Sequence, residues 1–216
     1  MIMKDTVVLR KATKEDIPFL AEMILLAETS GKELISYRDM FELPDDELLK
    51  GFEIALDNEQ EGHGLTYLTF LIAEYNGNKA GAACGYIEGE SGGSSNHLMT
   101  GALITGFGTE LVVGAFKKNS KFKDVQINKS LDTLQIDSVA TVAEYRGKGL
   151  FKLIFEEHCN NAKSKGCSQL EIQVWGGNNG AISTYKKLGC EITLEKFYNP
   201  EDEIKGGRLL MTKKLT

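Results

Sequence analysis

The chain has 216 residues, of which 42% are hydrophobic, 8% aromatic and 26% charged, with 23 glycines and 3 prolines; this balance describes a globular domain able to bury a core and excludes a disordered or collagen-like chain. The 25 basic residues against 31 acidic ones leave a net charge of −6, a field that repels phosphate backbones and anionic membrane surfaces, so neither nucleic acid nor membrane is expected as a partner. No apolar run reaches the roughly 18 residues of a membrane span, and the opening MIMKDTVVLRKATKED is too polar for a secretion signal, which points to a cytoplasmic protein.

Residues Val7 to Arg10 read as a first strand, and Thr13 with Asp16 three residues on forms a capping-box pattern for a helix through about Glu28. Pro44 followed by Asp45, Asp46 and Glu47 places proline and acids in the first turn of a second helix, with Leu48, Leu49, Phe52, Ile54 and Leu56 as its apolar positions and an end near Asn58. Leu65 to Glu74 and Ala80 to Glu88 are β-rich runs joined through Asn76-Gly77, a hairpin signal.

From Gly77 to Gly114, 10 of 38 residues are glycine, and the stretch holds an apolar segment from Leu98 to Phe116. Two readings of that segment stand: a buried helix whose small residues permit close packing, or a mobile lid over a ligand site. It is also a candidate homodimer contact. The four lysines at 117, 118, 121 and 123 read as a solvated connection. Residues 1–216 are thus expected to form a single domain with a glycine-rich insertion at about 90–130.

Beyond the insertion the pattern alternates regularly. Leu134 to Val142 is a strand, Leu150 to Lys165 a helix closed by Gly166, and Leu170 to Val174 a strand. Ala181 to Leu188 is a short helix stopped by Gly189, and Ile192 to Phe197 with Arg208 to Leu215 supply closing strands. Alternation of this kind belongs to the α/β class.

Chemistry concentrates in Glu144-Tyr145-Arg146-Gly147-Lys148-Gly149-Leu150, two glycines in a basic turn between a strand and a helix. Glycine removes the Cβ that would hold a phosphate away, and the helix N-terminus adds about half a positive charge, so a pyrophosphate fits there. A plain strand-to-helix turn accounts for the same residues. No GxxxxGK[ST] loop is present, and Gly106-Phe107-Gly108 lacks the third glycine of a dinucleotide fingerprint. Cys84, Cys159, Cys167 and Cys190 form no CxxC pair and read as reduced thiols, and His63, His97 and His158 are scattered, so no metal site is expected.

Downstream runs Asn178-x-x-Ala181-x-x-x-Tyr185-x-Lys187-Leu188-Gly189, and with the EYRGKGL turn it resembles the GNAT N-acetyltransferase superfamily. The resemblance is dense from Leu134 to Phe197 and extends to the opening strand and helix, from Leu9 to Glu28. It departs from the family at Glu144, where Gln or Arg is usual, and at Cys190, where an aromatic is usual. It implies a mixed, mostly antiparallel central sheet with splayed strands, flanked by helices, and acetyl-CoA as cosubstrate.

Carried over by motif position, Val139 and Thr141 lie on the strand that pairs with the pantetheine arm. Arg146, Gly147, Lys148, Gly149 and Leu150 form the pyrophosphate loop, Asn178 stands beside the cofactor arm, and Tyr185 is the general acid that reprotonates the leaving thiolate. Asp137, two residues before Val139 and by the period-two rule on its face, is the candidate base, ahead of Glu171 and Glu191. Trp175 ends a strand facing the cleft, where it is a candidate to line an acceptor pocket, although packing at the sheet end is the preferred, ordinary reading. The implied acceptor is an amine-bearing small molecule or protein, and the acidic net charge suits a basic or polyamine one. The alternative on the same fold is a non-catalytic acyl-CoA-binding sensor or partner-binding module.

Overall fold

Side-chain caps begin the 3-10 turn Lys14–Asp16 and the helices Tyr37–Phe41 and Asn179–Lys187, while the other α-helices with a described N-cap start without one. In the computed structural model, which describes residues 5–28, 36–120, 122–197 and 207–215, strand β1 (Val7–Lys11) leads through a single 3-10 turn into helix α1 (Ile17–Ala27). The expected capping box forms, the Asp16 carboxylate accepting the Thr13 amide at 2.9 Å. The same buried carboxylate takes Arg10 at 2.6 and 2.9 Å and Lys79 at 2.6 Å. These two cations hold it well below the usual carboxylate range.

Helix α2 (Tyr37–Phe41), unanticipated from periodicity, starts on a second capping box, in which Asp39 accepts the Ser36 amide at 2.8 Å. Helix α3 (Asp45–Leu56) follows, with Pro44 at its N-cap. Strand β2 (Phe70–Tyr75) begins five residues later than Leu65, the expected start, because Tyr67–Thr69 close a 3-10 turn capped by Thr66. It turns at Asn76-Gly77, whose φ values of 51° and 82° are those of the expected hairpin turn, into β3 (Asn78–Ile87).

The apolar segment forms helices α4 (Ser95–Phe107) and α5 (Thr109–Lys118), broken at Gly108 (φ 81°), followed by the short α6 (Phe122–Val125). The segment is helical, as the first of the two readings expects, and part of it also faces a cavity. Gly106 packs against α3 so closely that a Cβ there would stand 2.2 Å from the Gly51 carbonyl oxygen, while Met99, Thr100 and Leu103 of α4 line a cavity. Strand β4 (Leu134–Thr141), helix α7 (Leu150–Ser164), β5 (Gln169–Trp175), α8 (Asn179–Lys187), β6 (Glu191–Phe197) and β7 (Gly207–Lys214) complete the described chain.

The seven strands form one sheet in the order β1-β2-β3-β4-β5-β7-β6, every pairing antiparallel except β4 with β5. On one face Leu20, Ile24, Leu48 and Phe52 bury against Ile72, Ala82 and Ala140. On the other, Ile154 and Phe155 bury against Ala83, Leu170 and Met211. Helix α7 approaches so closely that a Cβ at Gly85 would meet the His158 ring at 2.4 Å. His158 donates through Nε2 to the Ala83 carbonyl at 3.0 Å, and burial pushes its pKa down to about 4, so it is a neutral packing residue. All four cysteines are buried and unpaired. No helix among the described residues is long and apolar enough to cross a membrane.

Candidate active site

Parallel strands β4 and β5 pair only at Leu134–Leu170 and Gln135–Glu171, then part. Glu171 marks the fork: it is buried, and its Oε2 accepts the Ser130 amide at 3.1 Å and the Gln135 side-chain amide at 3.0 Å. This buried clamp gives Glu171, a secondary candidate for base, a structural use. Beyond the fork the β5-facing edge of β4 has lost its strand partner, which leaves backbone groups that an extended ligand arm can pair.

A bulge reshapes β4 at that point. Asp137 pairs with Cys84 and Ala140 with Ala82, so three steps on β4 match two on β3, and Ser138 takes a φ of 49° in the left-handed region. Asp137 Oδ1 accepts the Ser138 amide at 2.8 Å. The period-two expectation therefore fails here. Asp137 shares the face of Cys84 and Ala140, whereas Val139 packs into the core on the opposite side. The extra residue offsets the alternation by one, which a sequence pattern alone does not reveal.

The opening leads into a cavity of about 970 Å³. Of the expected site residues, Asp137, Val139, Thr141, Arg146, Asn178 and Tyr185 all line it, as does Trp175. Tyr185 is 7% exposed, its ring edge-on to Phe151 with centroids 5.8 Å apart. Burial, with the Asp137 charge adding to it, pushes its phenol above the ordinary value, so the hydroxyl keeps its proton throughout the physiological range. Asn178 caps α8, its Oδ1 accepting the Ala181 amide at 3.0 Å, so the Nδ2 donor is what it can offer a ligand.

Residues Arg146 to Leu150 lead from the end of β4 into α7, and of them Arg146 lines the cavity while Gly147 to Leu150 do not. Gly147 and Gly149 have φ values of 78° and 77°, with open space where a Cβ would project. Their backbone shape requires glycine, and no protein group fills the outer surface of the turn. Among the described residues, no backbone carbonyl takes the amides of Gly147, Lys148, Gly149 or Leu150. The turn and the first turn of α7 thus present several donors together, the donor set an anionic pyrophosphate needs.

The side chains there behave differently from the amides. Lys148 donates to the Tyr75 hydroxyl at 3.1 Å and lies 4.3 Å from that ring's centre, Arg146 donates to the Thr141 carbonyl at 3.2 Å, and the Leu150 side chain is buried in the core. Glu144 is exposed, and its carboxylate raises the neighbouring Tyr145 phenol. Cys190 is buried and its amide closes α8 on the Tyr185 carbonyl at 2.9 Å, so a small thiol occupies the position where an aromatic is usual.

Four further groups in the cavity wall carried no motif signal: Glu28, Tyr37, Lys129 and Arg208. Glu28 Oε2 accepts the Tyr37 amide at 2.6 Å, and burial pushes its pKa up to about 8. Arg208 stacks over Trp175 at 4.5 Å. They come from distant segments that only folding brings together.

Comparison with known proteins bears on this geometry. An N-acetyltransferase from Staphylococcus aureus Mu50 has the same fold, with a TM-score of 0.67 at 18% identity over 95% of this chain and 100% of that one. A Salmonella typhimurium protein solved with its cofactor acetyl-CoA aligns with a TM-score of 0.56 at 15% identity, over 97% of this chain and 94% of that one. In sequence, the thialysine N-epsilon-acetyltransferase of Bos taurus is 34% identical over 58 residues, so this chain matches 27% of its own length to 34% of that relative's. Residues 37–190 match the acetyltransferase (GNAT) family, and with the forked sheet and the glycine turn ahead of α7 this places the chain in that family.

Proposed function

We propose that the protein is an acetyl-CoA-dependent N-acetyltransferase that moves an acetyl group directly onto an amine, with no covalent enzyme intermediate. The observation that carries this reading is the parting of β4 from β5 beside a cavity lined by Tyr185, Asp137 and Arg146, the last leading into a turn whose amides, Gly147 to Leu150, have no backbone acceptor among the described residues. The amides hold the pyrophosphate of the cosubstrate, and the unpaired edge of β4 aligns its extended arm. The thioester supplies an activated acetyl carbon.

An amine reaches this site as an ammonium ion, and Asp137 takes its proton, directly or through one water. Nitrogen then bonds to the acetyl carbon as the carbon–sulfur bond breaks, and backbone N–H groups near the bulge stabilise the oxyanion that develops. Tyr185 donates its hydroxyl hydrogen bond to the departing thiolate. Because that phenol is a weaker acid than a free one, its main effect is to stabilise the sulfur's charge until the second proton, shed by nitrogen once the carbon–nitrogen bond has formed, reaches the thiolate and gives the free thiol, the first proton passing from Asp137 to solvent.

Replacing the hydroxyl alone tests this role. In Tyr185→Phe, kcat measured by thiol release is expected to fall about 100-fold, with the KM for acetyl-CoA little changed. Undiminished turnover at saturating acetyl-CoA would remove Tyr185 from the chemistry.

A further inference from the structure

Lys129, in the connection between α6 and β4, reaches the cavity wall. Its ammonium donates to the Tyr86 hydroxyl at 2.6 Å, Ser95 Oγ at 3.1 Å and Asn96 Oδ1 at 3.4 Å, and lies 5.2 Å from the centre of the Tyr86 ring. All of these partners are neutral. Among the described residues no carboxylate forms an ion pair with it. Glu88, which shares Ser95 with it, uses Oε1 to accept the Ser95 amide at 3.0 Å. The wall therefore holds a half-buried cation whose direct partners are neutral oxygens; the buried Glu88 carboxylate, its Oε2 unpartnered among the described residues, stands one step away through Ser95 and is not among the cavity-lining residues, so on the cavity side Lys129 favours an anion beside it.

An opposite charge stands nearby. Gly64 links the two groups through Tyr86: a Cβ there would be 3.9 Å from Asp137 Oδ2 and 3.9 Å from Cε1 of Tyr86, the ring whose hydroxyl accepts from Lys129. One cavity wall thus holds a carboxylate, Asp137, and a lysine, Lys129, joined through Gly64 and Tyr86. A polyamine satisfies only the first and would bring a second ammonium against Lys129. A molecule bearing both an amine and a carboxylate satisfies both.

We propose that Lys129 anchors a carboxylate of the acceptor, so that the substrate is an amino acid with its reactive amine toward Asp137 and Tyr185. This rests on the N-acetyltransferase reading and narrows its substrate class. It also reverses the preference for polycations that the net charge of −6 suggests, because the contacting charges and not the whole-molecule field select the bound molecule.

The experiment titrates the protein, saturated with coenzyme A, with a panel of L-amino acids, each paired with the amine left when its carboxylate is removed, such as L-lysine against cadaverine and L-phenylalanine against phenethylamine. Calorimetry reads binding, and thiol release from acetyl-CoA reads transfer. At least one amino acid is expected to bind roughly tenfold or more tightly than its decarboxylated partner. In Lys129→Met that ratio should fall toward one while coenzyme A affinity, which reports the fold, stays unchanged.

A panel in which no amino acid binds better than its partner overturns the inference, and so does a preference that persists in Lys129→Met. Transfer to plain amines alone would keep the acetyltransferase reading and discard this one. Failure to bind coenzyme A at all would discard both.

Discussion

Glu28 ends helix α1 with its carboxyl turned into the cavity. Burial raises its pKa from 4.5 to about 8, the Tyr37 amide opposes the rise, and the Asp137 charge adds to it. In the folded protein this group holds its proton over a range in which the unfolded chain has already released one. Its contribution to stability is therefore complete below pH 4.5 and is lost as pH rises to about 8. Glu28→Gln removes that slope. Thermal midpoints measured across this range should fall for the wild type relative to the variant and run parallel above it; parallel curves throughout would show that the carboxyl is not desolvated. Neither Glu28 nor Lys129 belongs to a motif, so each read in the sequence only as one charge among many. Tyr185 and the paired glycines were legible because fixed spacing accompanies them.

At the scale of elements, two glycines of α4 separate close packing from mere flexibility. A Cβ at Gly106 would lie 2.2 Å from the Gly51 carbonyl oxygen of α3, whereas one at Gly101 would meet nothing within 4 Å. Gly106→Ala must push the helices apart and is expected to cost about 2 kcal/mol in denaturant unfolding. Gly101→Ala should stabilise by about 0.5–1 kcal/mol, because alanine loses less backbone entropy in a helix. Equal effects at the two sites would mean that α3 and α4 are not in close contact. The composition of this segment leaves two readings open, a helix packed through small residues and a mobile lid. Which glycine touches which neighbour depends on an interhelical contact, and α2, with five residues, is too short for a helical period to stand out.

For the whole molecule, the forked sheet has two halves joined through β4 and β5 at only two register pairs. A ligand seated in the fork bridges them and binds the folded chain alone, so acetyl-CoA at about 100 times its Kd should add about 2.7 kcal/mol of apparent stability, which for a chain of this size is roughly 5–10 °C. Scanning calorimetry checks this, with a Gly147→Asp/Gly149→Asp double variant as the control that should show no shift. A wild type unmoved by saturating acetyl-CoA would remove the fork as the cosubstrate site. The same scale separates field from contact: the chain is acidic overall, yet Lys129, Arg146 and Arg208 stand in the cavity wall.

What the sequence determined by itself is local. The Asn76-Gly77 turn, the Thr13–Asp16 capping box, the glycine turn ahead of α7 and the alternation of elements follow from backbone preferences and side-chain period, which act within a few residues. Tertiary structure alone decided the bulge at Ser138, the parting of β4 from β5, the face that Asp137 shares with Cys84, and the meeting of Glu28, Asp137 and Lys129 around one cavity. Each of these depends on strand register or on contacts between distant segments, and those are settled only when the whole chain packs.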